Sequence, residues 1–454
     1  MSYPDFGMSD KALRTQEQPI SFLLAAAVGN PDLISLAAGL IDAESLPLEA
    51  VQTLTSEIMS DAKAGRAALQ YGTTPGLREL RELLLQHLCQ LDECTPADLS
   101  LTPDNVVVTG GSQQALYILS DLVLNPGDIV IAAAPTYYVY AGTLTSIGAQ
   151  VLSVPMDEHG MRTDLLEELL VDLERKGQLE RVKIIYEVTY YQNPTGLSLS
   201  SQRRKHLVDL ARRFSKRHRI LVIDDAAYRE IRFDGPTWPS VKKFDPENKY
   251  VATCMTFSKA LCAGLKTGYA FLPNDLVDPF LQQKGNHDFG SNNFSQHLIC
   301  RAMRQGIYHK HVEKVRLAYR AKRDAMLEAM QQYMGDLAGQ VEWTRPNGGM
   351  YVWLSLPECI NTGRSEALFR RCVDKGVLYV PGEYCYASPP APHNKIRLSY
   401  GVQPAASIRE GIRRLAEAVR ETLGQCATCG LTCSAAGATP AATAGPAARS
   451  QPRA

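Results

Sequence analysis

The chain has 454 residues, of which 45% are hydrophobic, enough to build two or three packed domains. Lys plus Arg and Asp plus Glu each number 48, so there is no basic footprint for nucleic acid or an anionic membrane. No apolar run reaches the roughly 18 residues that would span a bilayer, and the first residues, MSYPDFGMSDKALRTQEQ, lack a signal peptide's apolar stretch. Eleven scattered cysteines suit free thiols in a reducing cytoplasm better than a disulfide framework.

In chain order, Leu77, Leu80, Leu84 and Leu88 recur at helical spacing. Residues 105–109 (NVVVT) read as a buried strand, followed by Gly110-Gly111 and a helix from Ser112. Further strands are expected at 128–132 (DIVIA), 150–154 (QVLSV), 182–186 (VKIIY), 220–223 (ILVI), 250–255 (YVATCM) and 268–272 (GYAFL). Apolar runs of this length between helices indicate an α/β layer, its mostly parallel sheet sandwiched by helices. From about Tyr308 the pattern changes. A long charged helix over 313–330 leads to a strand at 350–354, a helix at 365–375, a strand at 396–399 and a last helix at 407–423. These read as a smaller α+β domain. The expected organisation is an N-terminal arm (1–50) packing with the small domain, a large domain (51–307), the small domain (308–425) and a disordered tail (426–454). The Ala/Pro/Thr-rich composition carries the tail assignment. Cys426, Cys429 and Cys433 have metal-ligand spacing, but zinc wants four ligands and no His or Cys follows, so no metal is expected.

Five motifs fall just after strands or within an apolar one, where α/β proteins place ligands or must satisfy buried charge. In TGGSQQAL (109–116), Gly111, Ser112 and Gln113 either cradle a phosphate at a helix N-terminus or simply start a helix. In YQNPTG (191–196), Asn193 either donates to a ligand oxygen or belongs to an ordinary turn. In IDDAAY (223–228), two carboxylates close a strand and need a cation or donors, or one caps a helix. In TFSK (256–259), a desolvated Lys259 flanked by hydroxyls becomes a nucleophile toward carbonyls, and a surface lysine is the alternative. In KIRLSY (395–400), Arg397 offers a planar fork to a carboxylate, or decorates an edge strand.

Taken together and in this order, ISLAAGL, YGTTPGLREL, GGSQQAL, PTY, QNPTG, DDAAY, TFSKALCAGLKTGY, NGGMYVWL and KIRLSY resemble the class I/II aminotransferases of fold type I, which use pyridoxal 5'-phosphate (PLP). The resemblance runs from about Ile34 to Leu423. It implies that Lys259 is the Schiff-base lysine and that Asp225, rather than Asp224, pairs with the pyridinium nitrogen. Asn193 and Tyr228 would bond the phenolic oxygen, and Tyr137 would stack on the ring. Gly111, Ser112, Gln113, Thr256 and Lys266 would surround the phosphate. Tyr71 would reach the partner subunit's phosphate, which implies a homodimer with shared sites. Gly39 and Asn193 would line the substrate side, and Arg397 would grip the α-carboxylate. The implied substrates are an amino acid and a 2-oxo acid. Two departures stand out: Lys266 replaces the family's phosphate-binding arginine, and Ala37-Ala38-Gly39 replaces the frequent Ala-Gly-Gly. A β-lyase, decarboxylase or cyclopropane-forming synthase would share Lys259, Asp225 and Arg397. A non-enzymatic PLP-sensing regulator would need a DNA-binding module ahead of Ile34. The likeness is nearest the branch acting on aromatic, branched-chain and 2-aminoadipate substrates, with Arg14 as a candidate for a distal carboxylate.

Overall fold

The computed structural model describes residues 6–17 and 32–428, without the side chains of 426–428. Its largest sheet has eight strands. From one edge these are Val106–Thr109, Gly268–Phe271, Val251–Thr256, Leu221–Asp225, Val182–Val188, Ile129–Ala134, Gln150–Asp157 and Gly160–Met161. Every strand expected between residues 105 and 272 is present.

Alternation along each strand divides its side chains between two helix layers. Val130, Ala132, Ile184, Tyr186 and Ile223 face a core completed by Leu84, Leu88, Leu116 and Leu119. Ile129, Ile131, Ile185 and Val222 face another, completed by Leu166, Leu170, Leu207 and Phe214. The neighbouring strands from Gln150–Asp157 to Val251–Thr256 are parallel. Gly268–Phe271 runs against both its neighbours. The 11 residues between it and Thr256 are too few for a crossover, since parallel strands need a connection of about a dozen or more.

A second sheet of four antiparallel strands places Tyr351–Ser355 beside Lys395–Ser399, with Trp353 opposite Arg397. Its core includes Leu354, Ile396, Leu398, Ile412 and Leu415, together with Leu33, Leu36 and Ala37 from the N-terminal segment. Ile34–Ser35 pairs in parallel with Val377–Leu378. The charged helix is longer than its sequence pattern suggests, Ile307–Met334. Its first half gives Tyr308, Val312, Val315 and Tyr319 to the large core, and its second half gives Met326, Ala329, Met330 and Met334 to the small one. A single amphipathic stripe thus serves two cores, and periodicity alone cannot say which core a turn faces.

The last helix, Ala405–Thr428, passes the expected end at Leu423 and carries Cys426 on its backbone. Cys429, Cys433 and the expected disordered tail lie outside the described residues. Cys89, Cys94, Cys254, Cys262, Cys300, Cys372 and Cys385 are free thiols, whereas Cys359 is disulfide-bonded, a departure from the free-thiol expectation. Among the described residues, no helix is long and apolar enough to cross a membrane, and no cluster of acidic, His or Cys side chains could hold a metal.

Candidate active site

A cleft of about 450 Å³ opens at the carboxyl ends of the parallel strands. Thr109, Ala134, Val188, Asp225 and Thr256 end their strands there, and the residues just after them turn into the cleft. Every residue expected at the site lines this cleft except Tyr71 and the distal-carboxylate candidate Arg14. Tyr71 is 84% exposed and meets Phe289 edge-on at 5.8 Å.

Strand alternation decides between the two aspartates. Asp225 faces the cleft. Tyr186 donates to it at 2.9 Å and the Ala227 N–H at 3.3 Å. Both partners are neutral, and burial pushes its carboxyl up to about 6. Asp224 points to the opposite face, where Thr189 and Thr253 donate to it at 2.5 and 3.0 Å.

Arg397 is fully buried on the second sheet. Its guanidinium donates to Asn193 Oδ1 at 2.9 Å and to the Ala37 carbonyl at 2.7 Å, while its Nε has no partner. A buried cation whose hydrogen bonds go only to amide oxygens, with no carboxylate beside it, is a receptor for an anion. Asn193 gives its carbonyl oxygen to the arginine, which keeps its amide hydrogens for a ligand.

Lys259 is half-buried and donates to the Gly39 carbonyl at 3.0 Å. At the other end of the cleft, the helix Ser112–Val123 starts at Gly111, whose φ is +95°, with no side-chain cap. The amides of Ser112 and Gln113 are therefore free to receive an anion, whereas that of Gln114 donates to the Gly111 carbonyl at 3.2 Å. A side chain at residue 268 would lie 2.6 Å from the Ser112 nitrogen, so glycine there allows the strand to back this turn closely. Gln114 holds the turn from behind. Its Oε1 accepts from the Gly110 N–H at 2.7 Å, and its Nε2 donates to Asp288 at 2.9 Å. Thr256 donates to Ser258 at 3.0 Å, and Gln113 donates to Thr143 at 3.1 Å. Lys266 adds an exposed charge at the rim from a left-handed backbone, φ +46°.

Sequence reasoning did not single out Leu40, Tyr138, Ser258 or Tyr351, which also line the cleft, or Tyr186 behind Asp225. Ser258 had a signal, as a hydroxyl beside Lys259. Tyr186 had none, because only strand register brings it to Asp225. Arg14 does not line the cleft. It donates to the Ser146 and Ile147 carbonyls at 3.2 and 3.3 Å, closing the C-terminus of the helix Tyr138–Ile147.

Residues 31–415 match the family model described as aminotransferase class I and II. The chain belongs to this family. The aminotransferase is 36% identical over 415 residues to aromatic-amino-acid aminotransferase 1 of Thermococcus litoralis, covering 91% of this chain and 94% of that one. Its fold matches the multiple substrate aminotransferase of Thermococcus profundus at a TM-score of 0.83, with 36% identity over 92% of this chain and 98% of that one. It matches a Pyrococcus horikoshii kynurenine aminotransferase, solved in complex with PMP, equally well at 0.83, with 35% identity and coverage of 92% and 97%. The enzyme is thus a PLP-dependent transaminase acting on amino acid and 2-oxo acid substrates. The cleft suits that cofactor. Asp225 is a buried carboxyl without a cation, as a protonated ring nitrogen requires, and the uncapped helix start suits a phosphate.

Proposed function

We propose that this aminotransferase carries PLP on Lys259 and takes aromatic or extended apolar L-amino acids as donors. One observation carries the site assignment: Lys259 shares a cleft with a buried carboxyl and a buried guanidinium, and each of these is answered only by neutral groups. Asp225 would hold the ring nitrogen in its protonated form, and Asn193 and Tyr228 would donate to the phenolic oxygen. Tyr137 would cover the ring. Gly111, Ser112, Gln113, Thr256 and Lys266, with Ser258 added, would hold the phosphate. When bound, PLP supplies an electron sink that weakens the substrate's Cα–H bond.

The protein's own share is binding and proton transfer. Arg397 takes the α-carboxylate on its fork and fixes the orientation of Cα. Lys259 would accept the Cα proton on Nζ. The apolar and aromatic lining contributed by Leu40, Tyr137, Tyr138, Val139 and Tyr351 supports the donor class. The names of the relatives point the same way.

Exposure of Tyr71, Phe289, Leu69 and Leu48 supports a homodimer in which Tyr71 reaches the partner's site. The free thiols support a cytoplasmic location, with the bonded Cys359 against it.

A panel of amino donors with 2-oxoglutarate or pyruvate tests the reading. Aromatic donors should convert the absorbance to that of the pyridoxamine form without releasing ammonia. Turnover retained by Lys259→Ala, or ammonia and pyruvate formed without an oxo-acid acceptor, would overturn it.

A further inference from the structure

Tyr351 touches three parts of the cleft at once. Its ring centre lies 4.6 Å from the Arg397 guanidinium carbon, and the Tyr138 ring adds a second contact at 5.4 Å. Its hydroxyl lies 3.4 Å from that of Tyr228, and the two rings meet edge-on at 5.9 Å. A Cβ at Gly39 would fall 2.6 Å from the same hydroxyl, so the backbone that receives Lys259 also closes against it. Tyr351 is 2% exposed on a strand paired along its length with the strand of Arg397. Its position is therefore fixed by the sheet.

We propose that Tyr351 is a positioning residue that couples the guanidinium of Arg397 to the hydroxyl of Tyr228. The proposal rests on the roles given above to those two residues. Two physical arguments support it. A flat ring against a guanidinium restrains its plane, and a carboxylate fork needs that plane held. The second concerns hydrogens. Tyr228 has a single hydroxyl hydrogen and in this arrangement gives it to Tyr351. If it donates to the cofactor's phenolic oxygen instead, its own oxygen is left to accept from Tyr351. The two hydroxyls then turn as a pair, and a donor that itself accepts a hydrogen bond is polarised and strengthened. The 3.4 Å separation is long for two hydroxyls, which leaves room to tighten.

Two substitutions separate the parts. Tyr351→Phe keeps the ring and removes the hydroxyl, and Tyr351→Leu removes both. The first readout is the pH midpoint of the bound cofactor's absorbance in the PLP-loaded dimer or monomer as purified. A donor to the phenolic oxygen favours its anionic form, so losing that donor raises the midpoint. Tyr351→Phe should raise it in the same direction as Tyr228→Phe and by less. The second readout is the calorimetric Kd of 3-phenylpropionate, a carboxylate without an amino group. It should stay within about twofold in Tyr351→Phe and weaken by about threefold or more in Tyr351→Leu. An unmoved midpoint in Tyr351→Phe, beside a shifted one in Tyr228→Phe, overturns the hydroxyl link. Unchanged binding in Tyr351→Leu, beside weakened binding in Arg397→Lys, overturns the ring contact. If Tyr228→Phe itself leaves the midpoint in place, the role of Tyr228 fails and the coupling falls with it.

Discussion

Lys266 holds a place where the family carries arginine, and it does so from an exposed, left-handed position at the rim of the cleft. An ammonium is a point charge, whereas a guanidinium bonds two phosphate oxygens in one plane. We therefore expect Lys266→Arg to slow the loss of PLP on dialysis and Lys266→Ala to hasten it, each by about tenfold. Cofactor-to-protein ratio after dialysis against phosphate buffer measures this directly. Equal retention in all three proteins would mean that the helix start at Gly111 and Ser112 does the holding alone. Asp225 shows the opposite kind of residue, a group whose solvent is gone. Its sequence neighbour Asp224 has the same chemistry, and nothing in the dipeptide distinguishes them. The strand turns one toward Tyr186 and the cleft and the other toward Thr189 and Thr253.

At the scale of the elements, the face of the sheet away from the cleft carries a buried acid. Glu187 pairs in register with Asp224, and neither of its carboxyl oxygens has a hydrogen-bond partner. Burial pushes its carboxyl up to about 8. The sign of the consequence follows. Between about 4.5 and 8 the unfolded chain ionises this group while the native state keeps it protonated, so its contribution to stability falls as pH rises through that window. Glu187→Gln carries no such penalty. Its stability should gain on the wild type from pH 5 to pH 8, by an amount on the order of 3 kcal/mol. Thermal unfolding of both proteins at the two pH values checks it, and parallel behaviour would rule it out. Helix ends act at this scale as well. Arg14→Ala removes a cation from the C-terminus of Tyr138–Ile147, the helix that begins beside the cleft, and should cost about 0.3–1 kcal/mol.

At the scale of the molecule, the cleft draws on both sheets. Asp225 and Lys259 come from the large sheet and its loops, whereas Arg397 and Tyr351 come from the small one. The helix Ile307–Met334 ties the two cores together. If Tyr71 completes the partner's site, a mixed dimer of Lys259→Ala and Tyr71→Ala protomers gathers both lesions in one of its two sites. Refolding the two inactive variants together should then restore part of the activity, because one site per mixed dimer has both residues intact. Activity no higher than the sum of the separate variants would overturn a role for Tyr71 in the partner's site.

The sequence by itself was sufficient for the strand series from residue 105 to 272, because all of these strands but Gln150–Asp157 are runs buried on both faces. It was also sufficient for the cofactor family, because short motifs follow those strands in a fixed order. It could not say that Gly268–Phe271 reverses direction without attention to the short connection before it. Nor could it show that the charged helix serves two cores, or that Arg14 closes a helix rather than meeting a substrate. The same holds for Tyr186, Tyr138 and Tyr351. Their roles depend on register and on which sheet faces which, and those are settled only when distant segments pack. The local pattern encodes what a residue can do, and the tertiary contacts decide which atoms it does it to.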